Sequence, residues 1–276
     1  MGDGAGTVIV VLPDGSRHEV ERGATLESVA RLVPHGCRWT VMGAKVGTSL
    51  RELTWRLNED ADVQFIDMGA PDGMRFYRRT GILVLVMAAR EVLQGARVLI
   101  QHSLSNGLYG EIKWRKPLTQ SHVRAIEERM HEIVAADLPI VRRSMPLKEA
   151  IELFRADGQR DKVRLLKYRR TDHINVYQCG WMSDYFYGYM APSTGYLRSF
   201  RLRHYLPGFI LEFPTAANGM EIPDYVEQGK LATVYFEAER WGRVIGVTDI
   251  ASLNSMIERG HLDSLIQTVE ALHEKK

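Results

Sequence analysis

The sequence predicts an α+β protein in two parts, a small roll followed by a larger mixed domain. Three observations carry this. Residues 7 to 67 place short β-branched runs around one brief helical pattern. A polar stretch, Asp67 to Asp72, then breaks the pattern. Beyond it, strand-like runs alternate with long amphipathic helices. A length of 276 residues, 45% hydrophobic and 25% charged, suits about two ordinary soluble domains.

In the first part, Thr7-Val-Ile-Val-Val-Leu reads as a strand, Pro13-Asp14-Gly15 as a tight turn, and His18 to Arg22 as the returning strand. Thr25 caps a short helix with Leu26, Val29, Ala30 and Val33 at helical spacing, and Pro34 to Gly36 stops it. Two short strands follow, at Trp39–Met42 and Lys45–Val46, and Ala61 to Ile66 forms the last strand. This layout fits a ubiquitin-like roll, and a generic α+β module fits it equally well.

In the second part, Gly81 to Leu93 reads as a helix that is apolar nearly all round, hence buried. Ala96 to His102 is a strand that turns at Asn106-Gly107 into Leu108 to Ile112. Thr119 opens a long helix whose stripe is Val123, Ile126, Met130, Ile133 and Val134. Ile140 to Arg143 is a strand, and helices follow at Leu147–Arg155 and Asp161–Leu166. Strands dominate Ile174 to Phe213, and His261 to Lys276 is an amphipathic helix that ends in mid-pattern, as if a third part followed.

Several chemistries are excluded. The net charge of +2 gives no global case for nucleic acid. The Gly81 to Ala89 run is far short of the roughly 20 residues of a membrane helix, and Met1 to Gly6 is no signal peptide, so a cytoplasmic protein is expected. Cys37 and Cys179 form no CxxC pair. HExxH and GxSxG are absent. Gly229-Lys230 runs into Leu231 and makes no phosphate loop.

Candidate binding residues cluster in three stretches. QHSLSNGLYG offers His102, Ser103, Asn106 and Tyr109. The aromatic, glycine-rich Cys179 to Tyr196 offers Tyr187, Ser193 and Thr194. On the strand after it, Arg201 and Arg203 share a face. His102 reads equally as a polar cap at a strand end or as a substrate-facing group. His122 and His131 read as solvated. Arg160 to Arg170 carries six positive charges, and beside Arg201 and Arg203 it would make a patch for RNA; a solvated helix face is the plainer reading.

VVLPDGSRHEVERGATLESVA, MGAKVGTSLRELTWRL and NEDADVQFID resemble the TGS domain at the front of threonyl-tRNA synthetases, which implies binding or regulation without catalysis. NGLYGEI, LTQSHVRAIEERMHEIVAADLPIVRR, KEAIELF and APSTGYLRSFRL resemble the editing-type second domain of those enzymes and of free-standing alanyl editing proteins. That family holds zinc through an HxxxH pair and a CxxxH pair. Anchored on Asn106-Gly107 and Pro192-Ser193-Thr194, those positions fall on Arg79, Leu83, Phe186 and Met190, so no metal is expected.

HSLSNGLYGEI, DYFYGYMAPSTGYL, LPGFILEFP, AERWGRVIGV and EALHEKK resemble the N-terminal region of bacterial uridine-kinase-like nucleoside kinases. The resemblance implies a disordered 1–6, a β-grasp TGS domain over 7–68, an editing-like domain over 73–250, and a helical segment over 251–276 that leads to a kinase domain. That kinase domain would be the chain's partner, and ATP and magnesium would belong to it alone. The expected function is a non-catalytic, regulatory module with a cleft for a nucleotide-like or amino-acid-like ligand. The alternatives are a zinc-independent aminoacyl-ester hydrolase with His102 as general base, and an RNA-binding module.

Overall fold

Strand β1 (Thr7–Val11) turns back on β2 (Arg17–Glu21) because Leu12-Pro-Asp-Gly closes a tight turn: Gly15 N–H donates to Leu12 O at 2.9 Å, and Gly15 sits at φ +82°. Helix α1 (Leu26–Leu32) starts where Thr25 Oγ1 accepts from Ser28 N–H at 3.1 Å. Strands β3 (Val41–Val46), β4 (Ser49–Glu52) and β5 (Ala61–Asp67) complete a sheet of order β2-β1-β5-β3-β4, with β1 and β5 parallel. This is a β-grasp arrangement, and Val8, Val10, Leu26, Val29, Leu57 and Val63 fill its core. The two short strands expected near Trp39 and Lys45 are one continuous β3. The computed structural model describes residues 6–274, so the disorder expected for residues 1–6 falls, Gly6 apart, outside the described residues.

Helix α2 (Pro71–Val92) begins well before the expected Gly81. Pro71 occupies its first turn, where a fixed φ and a missing N–H cost nothing. Gly81 is a packing residue inside it: a Cβ there would lie 2.7 Å from the Phe213 ring. The stretch expected as a polar linker is therefore a tight turn at 68–70 that feeds directly into this helix.

Strands β6 (Arg97–Leu104) and β7 (Gly107–Lys113) form a hairpin about Ser105, at φ 52°. Helix α3 (Gln120–Ala135) carries a capping box between Thr119 and His122. The expectation that His122 is merely solvated is thereby corrected, and His131 stacks on Phe200 at 4.4 Å. Then come β8 (Ile140–Pro146), α4 (Leu147–Ala156), α5 (Arg160–Leu166), β9 (His173–Cys179), β10 (Met182–Asp184), β11 (Arg201–Tyr205) and β12 (Gly208–Glu212). Two further sheets result, β10-β9-β8 and β11-β12-β7-β6.

Between β10 and β11 the expected strands give way to irregular chain with one 3-10 turn, Thr194–Tyr196. The physical reason is that its amides donate to side chains instead of a ladder: Met190 N–H to Glu52, Ala191 N–H to Thr80, Gly195 N–H to Asp137. Helix α6 (Gly229–Val244) is unforeseen, whereas α7 (Ile250–Glu258) and α8 (Leu262–Glu274) fall in the helical segment expected over 251–276, whose last two lysines lie outside the described residues.

The chain divides into two units, Met1–Arg142 with Tyr177–Tyr225, and Arg143–Val176 with Val226–Lys276. The first holds the main core, built on Phe76, Leu83, Met87, Ile126, Met130 and Phe209. The second buries Phe154, Leu166 and Ile174. Among the described residues, no helix is long and apolar enough to cross a membrane.

Candidate functional site

The junction of α2 with the 184–191 loop brings together Arg79, Leu83, Phe186 and Met190, the four positions singled out in the sequence. Thr80, fully buried, donates to Phe76 O at 3.0 Å and accepts from Ala191 N–H at 3.0 Å, which seats the loop on the helix. One residue earlier, Arg79 Nη1 donates to Tyr189 O at 3.4 Å. Its guanidinium lies against Gly188, where a Cβ would stand 2.5 Å from Arg79 Cζ; at φ +110° that position suits glycine alone. One turn along, Leu83 is 0% exposed and Met190 is 1% exposed, both in the main core, with Phe186 packed against it. A guanidinium, an isobutyl group, a phenyl ring and a thioether do not fit a zinc ion. Among the described residues, no group of three or more His, Cys, Asp or Glu is placed to hold a metal.

The same loop meets a buried polar cluster. Glu52, at the end of β4, is 6% exposed. Its Oε1 accepts from Met190 N–H at 3.2 Å and from the Tyr177 hydroxyl, and its Oε2 pairs with Arg142 Nε at 3.2 Å. Arg142 in turn lies over the Tyr189 ring at 5.0 Å. The Tyr177 hydroxyl also lies 2.7 Å from Gly188 O. A phenol has one proton, so it serves either the carboxylate or the carbonyl. Burial raises the Glu52 pKa above its ordinary value, against the opposing effect of Tyr177 and Arg142. The Tyr177 pKa is raised by burial and by Glu52. No sequence signal marks Glu52, and the strand that it ends, β4, is not among the expected ones.

The β11-β12-β7-β6 sheet gathers a second set. His102 pairs across the ladder with Tyr109, ring centroids 5.0 Å apart. Tyr109 meets Tyr205 at 6.0 Å, Tyr205 meets Tyr225 at 6.3 Å, and Arg203 lies 4.5 Å over Tyr225. Arg203 and Arg201 share Glu212, at 3.3 and 3.9 Å. Four expected residues, His102, Tyr109, Arg201 and Arg203, are thus brought onto one sheet. Burial lowers the His102 pKa below 6.5, which keeps the imidazole neutral at pH 7.

The other expected residues lie elsewhere. Ser103 and Asn106 are exposed on the hairpin, and Tyr187 is 82% exposed. Thr194 is fully buried: its hydroxyl donates to Ile133 O at 2.8 Å and accepts from Leu138 N–H at 2.9 Å, closing the end of α3. That hydroxyl holds chain, and its bonding capacity for a ligand is largely spent. Ser193 donates to Asp137 beside it. Cys179 is buried, which pushes its thiol up to about 11 and makes it a poor nucleophile. Of the basic stretch, Arg164 pairs with Asp249 and Lys167 with Glu258 at 3.0 Å. It belongs to the second unit, and Arg201 and Arg203 to the first.

No family model matches the chain. Among curated proteins it is similar to the threonine–tRNA ligase of Methylococcus capsulatus, 33% identical over 195 residues, which is 70% of this chain and 31% of that protein. The corresponding ligase of Acidovorax sp. strain JS42 is 29% identical over 194 residues, covering 70% and 30%. That of Pelobacter propionicus is 29% identical over 196 residues, covering 71% and 31%. The chain is thus homologous to threonine–tRNA ligases over most of its length, and spans about 31% of the first of these relatives.

Proposed function

We propose that this chain is a binding module of threonyl-tRNA-synthetase descent, with a TGS-type β-grasp and an editing-type domain that holds a ligand without metal-dependent hydrolysis. The observation that carries the reading is the chemistry at Arg79, Leu83, Phe186 and Met190. Core packing and a guanidinium occupy the positions onto which the sequence resemblance maps the family's ligands, which supports the reading. The homology to threonine–tRNA ligases supports an editing-type origin and a tRNA-related or aminoacyl-like ligand class.

Metal analysis of the purified chain together with an aminoacyl-tRNA deacylation assay tests this. The expected outcome is no stoichiometric zinc and no hydrolysis. Bound zinc at one per chain would sink the reading.

A second reading, a metal-free ester hydrolase, is favoured by one observation: burial keeps His102 neutral, as a general base must be. Metal-independent deacylation that disappears in His102→Ala would establish it.

The finer attribution, to the N-terminal region of a uridine-kinase-like nucleoside kinase, rests on the sequence resemblance of stretches such as HSLSNGLYGEI and DYFYGYMAPSTGYL. It is tested with the full gene product, ATP, magnesium and uridine. A gene product unable to phosphorylate nucleosides removes the attribution and leaves the binding module standing.

A further inference from the structure

A cavity of about 430 Å³ opens in the first unit, between α1 with the chain that follows it and the Pro192 to Arg198 turn. Its size is within the range of small-molecule sites. Its two walls are tied together, because the Tyr196 hydroxyl donates to Glu27 Oε1 at 2.8 Å and Arg31 Nη2 donates to the same oxygen at 2.5 Å.

The formal charges around the cavity nearly cancel. Each carboxylate is engaged by the protein through one oxygen: Glu27 Oε1 by Tyr196 and Arg31, Asp137 Oδ1 by the Ser193 hydroxyl and by Gly195 N–H at 3.0 Å. Arg198 lines the cavity and is exposed. His35 Nδ1 accepts from Cys37 N–H at 3.2 Å, which leaves Nε2 as the protonated nitrogen of the neutral ring. Trp39 adds a half-buried indole to the same lining, with Arg38 over its ring at 4.7 Å.

An exposed guanidinium, an imidazole donor and an indole on one lining favour a ligand with an anionic end and a planar end. We propose that this cavity binds a nucleoside monophosphate, the phosphate on Arg198 with His35 and the base against Trp39. The site is separate from the His102 sheet face and from the α2 junction, so it stands whether or not either reading of those sites holds.

Calorimetric titration of the whole chain with AMP, UMP, adenosine and inorganic phosphate tests it. The expected result is saturable binding of a monophosphate that tightens as salt is lowered, with adenosine and phosphate each weaker. Arg198→Ala should weaken the monophosphate by about tenfold or more and leave adenosine nearly unchanged. Trp39→Ala should weaken adenosine and monophosphate alike, and circular dichroism of both variants checks that the fold is kept. His102→Ala should leave this binding untouched. Monophosphate binding that is equal in the wild type and Arg198→Ala overturns the proposal, as does no binding of AMP or UMP up to about 5 mM.

Discussion

At Glu52 a phenol, a guanidinium and a backbone amide converge on one carboxylate held out of water. Removing it by Glu52→Ala leaves the buried Met190 N–H without its acceptor and takes a partner from the buried Tyr177 hydroxyl, and thermal or denaturant unfolding should show a loss of about 1–3 kcal/mol. Glu52→Gln keeps the shape and the acceptor, and should cost far less. Because burial raises the folded-state pKa above 4.5, the protonated form is the one that folding favours. The contribution from this titration is present at low pH and is lost as pH rises through the raised pKa. Glu52→Gln should remove that slope.

His102 acts in the opposite sense. Its folded-state pKa is lowered below 6.5 by burial, so the unfolded chain takes up the proton first. Stability should fall as pH drops below 6.5 toward the folded value, and His102→Gln should flatten that part of a stability–pH curve. An unchanged slope would mean that the ring is solvated.

Among the elements, α1 and α3 could be read in the sequence because each announces its own start. Thr25 and Thr119 accept from amides three residues on, and that chemistry is local. Thr119→Ala should cost about 1 kcal/mol in chemical denaturation. The true start of α2 was hidden, since Gly81 looks like a boundary and is instead a point of close approach to Phe213. Gly81→Ala should therefore destabilise, by about 1–3 kcal/mol, although alanine is the better helix former. Helix α6 went unread; of its residues only Ala232 is buried. The 185–200 loop was misread as strand because its aromatics have strand-like composition, while its amides are claimed by side chains far away in sequence.

Over the whole molecule, burial is uneven. Helices α2 and α3 sit in the main core, whereas α6, α7 and α8 carry exposed Val234, Val244, Ile250, Ile266 and Val269. Hydrogen exchange should show the slowest amides in α2 and α3 and the fastest helical amides in α6 to α8. Comparable protection throughout would contradict the burial pattern.

By itself the sequence determined the α+β class, the strand, turn, strand and helix that open it, and the capped helices. All of these follow from side-chain chemistry or from patterns a few residues long. Only the tertiary structure decided which polar groups meet. Glu52 joins Tyr177 across 125 residues of chain, Thr194 joins Ile133 across 61, and Tyr196 joins Glu27 across 169. Ser193 accordingly lines a cavity with α1, while His102 lies on a sheet with Tyr109 and Tyr205. Such pairings depend on how sheets and helices pack, and a hydrogen bond between distant residues leaves no periodic trace in the order of the amino acids.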